Sequence, residues 1–172
     1  MSETVFRIAE IKDALDIATV HVKMWQKAYK GQVPDSFLDN MSIEERKKIW
    51  MSNMQNPKDG IKVFVAENNG DITGWIMGGK NRDEDIPTDV GELGGIYVHP
   101  DWQGKGVGSI MMQNFLNWLR KEGYKKATLW VLATNKKTRK WYESKGWRVE
   151  GKTKTEPRDG FYLHEVRYII NL

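Results

Sequence analysis

The stretch Gln103-Gly104-Lys105-Gly106-Val107-Gly108 lies between an apolar, strand-like run, Ile96-Tyr97-Val98, and an amphipathic helical pattern that begins at Val107. Small residues where a strand passes into a helix leave the first backbone N–H groups of the helix unpaired and uncovered by side chains. Together with the positive end of the helix dipole, those donors form a site for phosphate. The chain is therefore expected to be organised around a strand–loop–helix unit that holds a phosphorylated ligand.

Two better-known glycine loops do not fit. A dinucleotide fingerprint counted from Gly104 meets Ser109 where its last glycine belongs. A Walker A loop is approached by Gly74-Trp75-Ile76-Met77-Gly78-Gly79-Lys80, but Asn81 follows instead of Ser or Thr, and Trp75-Ile76-Met77 reads as a buried strand.

Periodicity lays out the rest of the chain. Val5 to Ile8 reads as a first strand; Ile11, Leu15, Ala18, Val22, Trp25 and Tyr29 then repeat at helical spacing, with Gly31 as the stop. Pro34-Asp35 reads as a turn, and Ser42-Ile43-Glu44-Glu45 as a capping box opening a helix to about Asn53. Ile61–Glu67 and Ile72–Met77 form a hairpin pattern around Asn68-Asn69-Gly70. Lys80 to Asp89 is a polar loop, Glu92 to Val98 a strand, and Val107 to about Glu122 a helix. Thr128–Leu132, Trp147–Glu150 and Phe161–Ile169 read as strands, with a short helix at Lys136–Lys145. The order β-α-α-β-β-β-α-β-α-β-β predicts a mixed α/β fold: a central sheet of about seven strands flanked by about four helices, in one domain over residues 1–172.

Val98-His99-Pro100-Asp101-Trp102-Gln103-Gly104-Lys105-Gly106-Val107-Gly108 resembles the acyl-CoA pyrophosphate loop of the GNAT superfamily of N-acetyltransferases, and the order of elements matches that fold over essentially the whole chain. The resemblance implies acetyl-CoA as co-substrate, with Gln103 to Ser109 on the pyrophosphate and Ile96, Tyr97 and Val98 along the pantetheine arm. It also implies the Val98 amide as donor to the thioester carbonyl. Gly94-Gly95 in the same strand marks either a bulge open to a ligand or tight packing on a neighbouring tryptophan. Asn135 is locally a helix N-cap. The segment Asn135…Trp141-Tyr142…Gly146-Trp147 resembles the family's Asn…Phe-Tyr…Gly-Phe, which implies Asn135 on the CoA arm and Tyr142 as the acid for the leaving thiolate.

Attack on a thioester needs a neutral amine, so a base or a water relay is required. Glu92 stands where many family members carry that base; otherwise it is a solvated strand end. In Lys136-Lys137-x-Arg139-Lys140, a basic face or a set of phosphate partners, Lys137 is the candidate, and Lys105 can serve from the loop. Trp25 and Tyr29 are expected in the acceptor pocket, and Trp25…Ala28-Tyr29…Gly31…Pro34 resembles a subgroup of the family. The acidic run Asp83-Glu84-Asp85 either attracts a cationic amine or is simply solvated.

Composition sets limits. The absence of cysteine excludes disulfides, thiolate zinc and a cysteine acyl-enzyme, and three histidines without ligand spacing argue against a metal. A net charge of +4 is dispersed among acidic residues with no nucleic-acid motif, so no nucleic-acid partner is expected. No apolar run approaches membrane-spanning length, and Met1-Ser2-Glu3-Thr4 does not read as a signal peptide, so a cytoplasmic protein is expected. The expected function is direct acetyl transfer from acetyl-CoA to a primary amine of a small molecule or peptide, in a chain that can form a homodimer. The rival is an acyl-CoA sensor or scaffold that does not turn over.

Overall fold

The computed structural model describes residues 3–172. Seven strands form one sheet in the order β1-β2-β3-β4-β5-β7-β6. They are β1 Val5–Ile8, β2 Ile61–Asn68, β3 Asp71–Lys80, β4 Val90–Val98, β5 Lys126–Leu132, β6 Arg148–Arg158 and β7 Phe161–Asn171. Helices α1 (Ala14–Ala28), α2 (Asp35–Asp39) and α3 (Ile43–Gln55) precede β2, α4 (Val107–Lys121) joins β4 to β5, and α5 (Lys136–Ser144) joins β5 to β6. Among the described residues no helix is long and apolar enough to cross a membrane.

Local chemistry explains the boundaries. Asn69 and Gly70 both take positive φ (52° and 90°), which makes the two-residue turn whose twist suits a tight hairpin between β2 and β3. Ser42 caps α3 by accepting the Glu45 N–H at 3.2 Å. The stripe of α1 differs from the expected one: Ile17, Ala18, Val22 and Met24 are buried, while Ile11 and Leu15 remain 44% and 46% exposed. Pro34 opens the short α2 instead of a plain turn, its carbonyl accepting the N–H groups of Phe37 and Leu38. Strand β6 runs on past Glu150 to Arg158 as a mostly exposed sheet edge, so it carries no apolar alternation.

Two layers enclose the sheet. On one face α4 buries Val107, Met111, Phe115 and Leu119 against Phe64, Ile76, Leu129 and Tyr168. On the other, α1 and α3 pack Ile17, Met24 and Trp50 onto Val65, Ile72 and Trp75. The β3–β4 ladder shifts register so that Gly78 pairs with Leu93 and Met77 with Gly95, leaving Gly94 as the extra residue of a bulge. Its neighbour across the ladder, Gly78, is tightly enclosed: a Cβ there would lie 2.1 Å from the Glu92 carbonyl oxygen and 2.7 Å from the Phe115 ring.

The next strand boundary decides the architecture. β4 and β5 are parallel and paired only from Val90–Lys126 to Leu93–Leu129, after which both strands continue without pairing to each other. A Gly78→Ala variant should lose about 1–3 kcal/mol of stability by overpacking, measured by urea unfolding.

Candidate active site

The cleft opens where β4 leaves β5. The His99 N–H donates to the Thr73 carbonyl at 2.8 Å, which fixes the phase of the β3–β4 ladder. In antiparallel pairing, alternate residues turn their N–H and C=O groups away from the partner strand. Ile96 and Val98 therefore direct their backbone groups to the side from which β5 has separated. Gly94 is exposed at the bulge, whereas a Cβ on Gly95 would press the Trp75 ring at 3.3 Å. Gly94 thus supplies the bulge and Gly95 the packing on tryptophan.

Beyond β4 the chain enters the glycine loop. Gly104 and Gly106 take φ of 74° and 84° with open space around them, so backbone conformation requires glycine there. Gly106 is the N-cap of α4 and no side chain caps the helix, so the N–H groups of Val107, Gly108 and Ser109 await an acceptor. Gly108 is constrained by crowding, since a Cβ would sit 3.3 Å from the Trp141 ring.

A groove of about 1070 Å³ joins these features. Its lining brings together Trp25, Tyr29, Glu92, Ile96, Tyr97, Val98, Gln103, Gly104, Gly106, Val107, Gly108, Ser109, Asn135, Lys137 and Tyr142. Lys105 is outside that lining, its ammonium 4.8 Å above the Trp102 ring. Gln103 turns its side chain towards α1, where its Oε1 accepts from Lys27 at 3.0 Å. Asn135 caps α5 through the Thr138 N–H at 3.3 Å and still borders the groove. Of the basic run, Arg139 is held structurally by the Ala133 carbonyl and the Tyr168 hydroxyl, leaving Lys136 and Lys137 on the groove.

Tyr142 is 7% exposed, and burial raises its phenol well above the ordinary range, so it stays protonated at neutral pH. Tyr29 and Tyr97 share a hydroxyl–hydroxyl bond of 3.0 Å, and Trp25 packs edge-on to Tyr29. His21 stacks on Tyr97 and accepts the Trp50 indole N–H at 3.3 Å. Burial pushes its imidazole down to about 3, so it is a neutral packing group. No group of three or more His, Asp or Glu among the described residues converges as metal ligands would.

Part of the groove wall is charged, and sequence reading missed most of it. Glu92 is 2% exposed and is gripped by Arg82: Nε reaches both carboxylate oxygens at 3.2 and 3.0 Å, Nη2 reaches Oε1 at 2.7 Å, and the Arg82 backbone N–H reaches Oε2 at 3.1 Å. It is not a solvated strand end. Arg82, Lys154, Glu156, Arg158 and Glu165 also line the groove. Charges at 154, 156 and 158 recur with the period of a strand, the one signal in the sequence that could have placed them on one face.

The acidic loop is pinned although Glu84 and Asp85 remain exposed. Buried Arg167 on β7 bonds Asp83 at 3.2 Å, Asp85 at 3.0 and 2.9 Å, and Glu150 at 3.0 and 2.9 Å. The Trp130 indole N–H adds a 2.9 Å bond to Asp83, and its ring lies between Lys154 (4.4 Å) and Arg167 (5.4 Å). This anchorage holds Arg82 over Glu92.

Comparison with known proteins agrees with the geometry. The acetyltransferase (GNAT) family pattern matches residues 22–147, and the chain belongs to that family. It is 30% identical over 130 residues to the uncharacterised N-acetyltransferase YuaI of Bacillus subtilis, covering 75% of this chain and 72% of that one. An uncharacterised N-acetyltransferase of Archaeoglobus fulgidus is 29% identical over 138 residues, covering 80% and 88%. The fold is shared with the PaiA N-acetyltransferase of Thermoplasma acidophilum, solved with coenzyme A, at a TM-score of 0.77 and 18% identity over 99% of both chains. It is also shared with YncA of Salmonella typhimurium, solved with acetyl-CoA, at 0.71 and 20% identity over 99% and 94%.

The Arg167 cluster implies a pH dependence. Hydrogen bonds from Arg167 hold the Asp85 and Glu150 carboxyls below their usual range. Their stabilisation is complete above the unfolded carboxylate range and is lost as pH falls through the depressed folded values. Arg167→Leu should lower Tm at pH 7 by a few degrees, because three carboxylates lose the buried guanidinium they share. The deficit should shrink as pH falls towards 3, as calorimetric scans would show.

Proposed function

We propose that this chain transfers an acetyl group from acetyl-CoA directly to a primary amine of a small molecule or peptide, both substrates being bound together. One observation carries the reading. A single groove connects the uncapped start of α4, the unpaired backbone of Ile96 and Val98, the buried Tyr142 hydroxyl and a wall of carboxylates. The residues fit the co-substrate: Gln103 to Ser109 offer backbone N–H groups to the pyrophosphate, and Lys136 and Lys137 stand where phosphate charge can be met. The open edge of β4 can pair with the amides of the pantetheine arm.

The chemistry assigns a role to each group. A carboxylate of the groove takes the proton of the acceptor ammonium, directly or through water. The freed nitrogen attacks the thioester carbonyl carbon while the Val98 amide stabilises the oxygen on which charge develops. The carbon–sulfur bond then breaks, Tyr142 gives its proton to the departing sulfur, and the surplus proton of the acylated nitrogen returns to the phenolate, directly or through water. Burial raises the phenol, and it also makes a thiolate in the same cleft harder to leave charged, so the proton moves between groups disfavoured alike as anions.

Two measurements test the reading. Calorimetric titration should show CoA binding, and absence of binding at millimolar CoA would overturn it. CoA release against a panel of amines, amino acids and peptides should find a turnover substrate. Binding without release across that panel would instead make the chain a sensor. Tyr142→Phe should lower kcat by about 10²-fold or more with little change in CoA affinity, and unchanged turnover would remove its role.

A further inference from the structure

Among the described residues three carboxylates line the groove, and of these Glu156 is paired with Lys154 at 2.8 Å and Arg158 at 3.3 Å. Glu92 and Glu165 are left to compete for the acceptor proton, and these two differ in position and in company. Glu92 pairs across β4–β5 with Thr128, and Leu132 lies on the same face of β5, four residues on. Leu132 pairs across β5–β7 with Glu165, so Glu92 and Glu165 share that face. Their levels along the sheet are different. Glu92 belongs to the rung just before the last paired one, Leu93–Leu129, below the point where the strands part. Leu132 lies three residues beyond that rung on β5, about 10 Å further along at the usual strand rise, and on β4, where Gly94 is the extra residue of the bulge, the same advance reaches Tyr97. Glu165 therefore stands level with Tyr97, between the unpaired backbone groups of Ile96 and Val98, where the thioester end of the arm is expected.

Their hydrogen bonding separates them further. The two oxygens of Glu92 already receive four N–H contacts from Arg82 at 2.7–3.2 Å, and its side chain is 3% exposed. Little of it is free to accept another proton. Glu165 has a single ion pair, with Lys154 at 3.5 Å, and its side chain is 17% exposed on the groove. The charged and titratable groups around it are Lys154, Glu156 and Arg158 from β6, Tyr29 from α1 and Tyr97 from β4. Its own strand adds His164, which bonds Thr155, and Arg167, which is committed to the acidic loop.

We propose that Glu165 is the group that takes the proton from the acceptor ammonium, and that Glu92 is instead the fixed partner of Arg82 in the groove wall. The assignment rests on the acetyl-transfer reading above. In the step, the N–H bond of the ammonium breaks, its electron pair stays on nitrogen for attack on the thioester carbon, and the proton passes to a Glu165 carboxylate oxygen. Burial raises the Glu165 carboxyl above the ordinary glutamate value, while Lys154 opposes that rise. A stronger carboxylate base is the result, and activity should fall as pH drops through that raised value.

The test uses the whole protein with acetyl-CoA and the fastest amine of the panel. Glu165→Gln should lower kcat/KM by about 10²-fold and abolish the low-pH fall of the profile. Lys154→Met removes the charge that favours the Glu165 anion, so the fall should move to higher pH. Glu92→Gln should retain the low-pH fall and lower Tm. A low-pH fall that survives in Glu165→Gln and vanishes in Glu92→Gln would overturn the assignment. A second reading needs no acceptor: the side-chain carboxyl of Glu165, followed by carbon-13 NMR, should titrate above an ordinary glutamate and rise further in Lys154→Met. Titration at the ordinary value would also overturn the assignment. Failure of CoA binding would sink the acetyltransferase reading itself and leave that titration measurable.

Discussion

The parting of β4 from β5 after Leu93–Leu129 is the constraint on which the rest of the structure depends. Parallel neighbours in the middle of a sheet normally stay paired, because each buried N–H or C=O left alone costs free energy. Here the Gly94 bulge bends β4 just beyond the last shared rung, and the chain turns through the glycine loop into α4. The phase of the β3–β4 ladder then points the backbone groups of Ile96 and Val98 into the gap. Core packing by α4 on one face and by α1 and α3 on the other keeps the two halves of the sheet in place although their middle is open.

The faces of this sheet divide the labour. Leu93, Leu129 and Tyr168 belong to the apolar cluster with α4. The opposite face of β5, β7 and β6 carries Trp130, Arg167, Glu165, Lys154 and Glu156, a set of charges that largely neutralise one another. Arg167 is buried with carboxylates from two separate segments, the loop after β3 and the start of β6. Arg167 ties the loop to the edge strands through these shared bonds, and Asp83, the neighbour of Arg82, is one of its partners.

Much of this was legible from sequence, and the losses have physical causes. The strand–loop–helix unit announced itself because glycine is needed there for backbone reasons that hold before any tertiary contact forms. Asn69-Gly70 and Ser42 were equally local signals. The stripe of α1 was misread because Ile11 and Leu15 are apolar yet face solvent, while Ala14 and Met24 take the inner face. Strand β6 was cut short because an edge strand of Lys, Thr and Glu has no apolar period. The charged groove wall was missed for a different reason: Arg82, Lys154 and Glu165 meet only through strand register and a long-range ion-pair network. The anchoring of the acidic loop was missed for the same reason, since its partner Arg167 lies more than eighty residues away.

An unpaired run of strand backbone is ordinarily an invitation to a foreign strand and hence to aggregation. In this fold both open edges face each other inside one molecule, with Trp141 and Tyr142 standing along the same cleft. A guest must slide in between them, and a polypeptide strand with side chains on both sides is a poor shape for that passage. A thin, side-chain-free arm ending in phosphates is a good one. The fold thus keeps idle hydrogen-bonding capacity ready for a ligand while hiding it from other proteins.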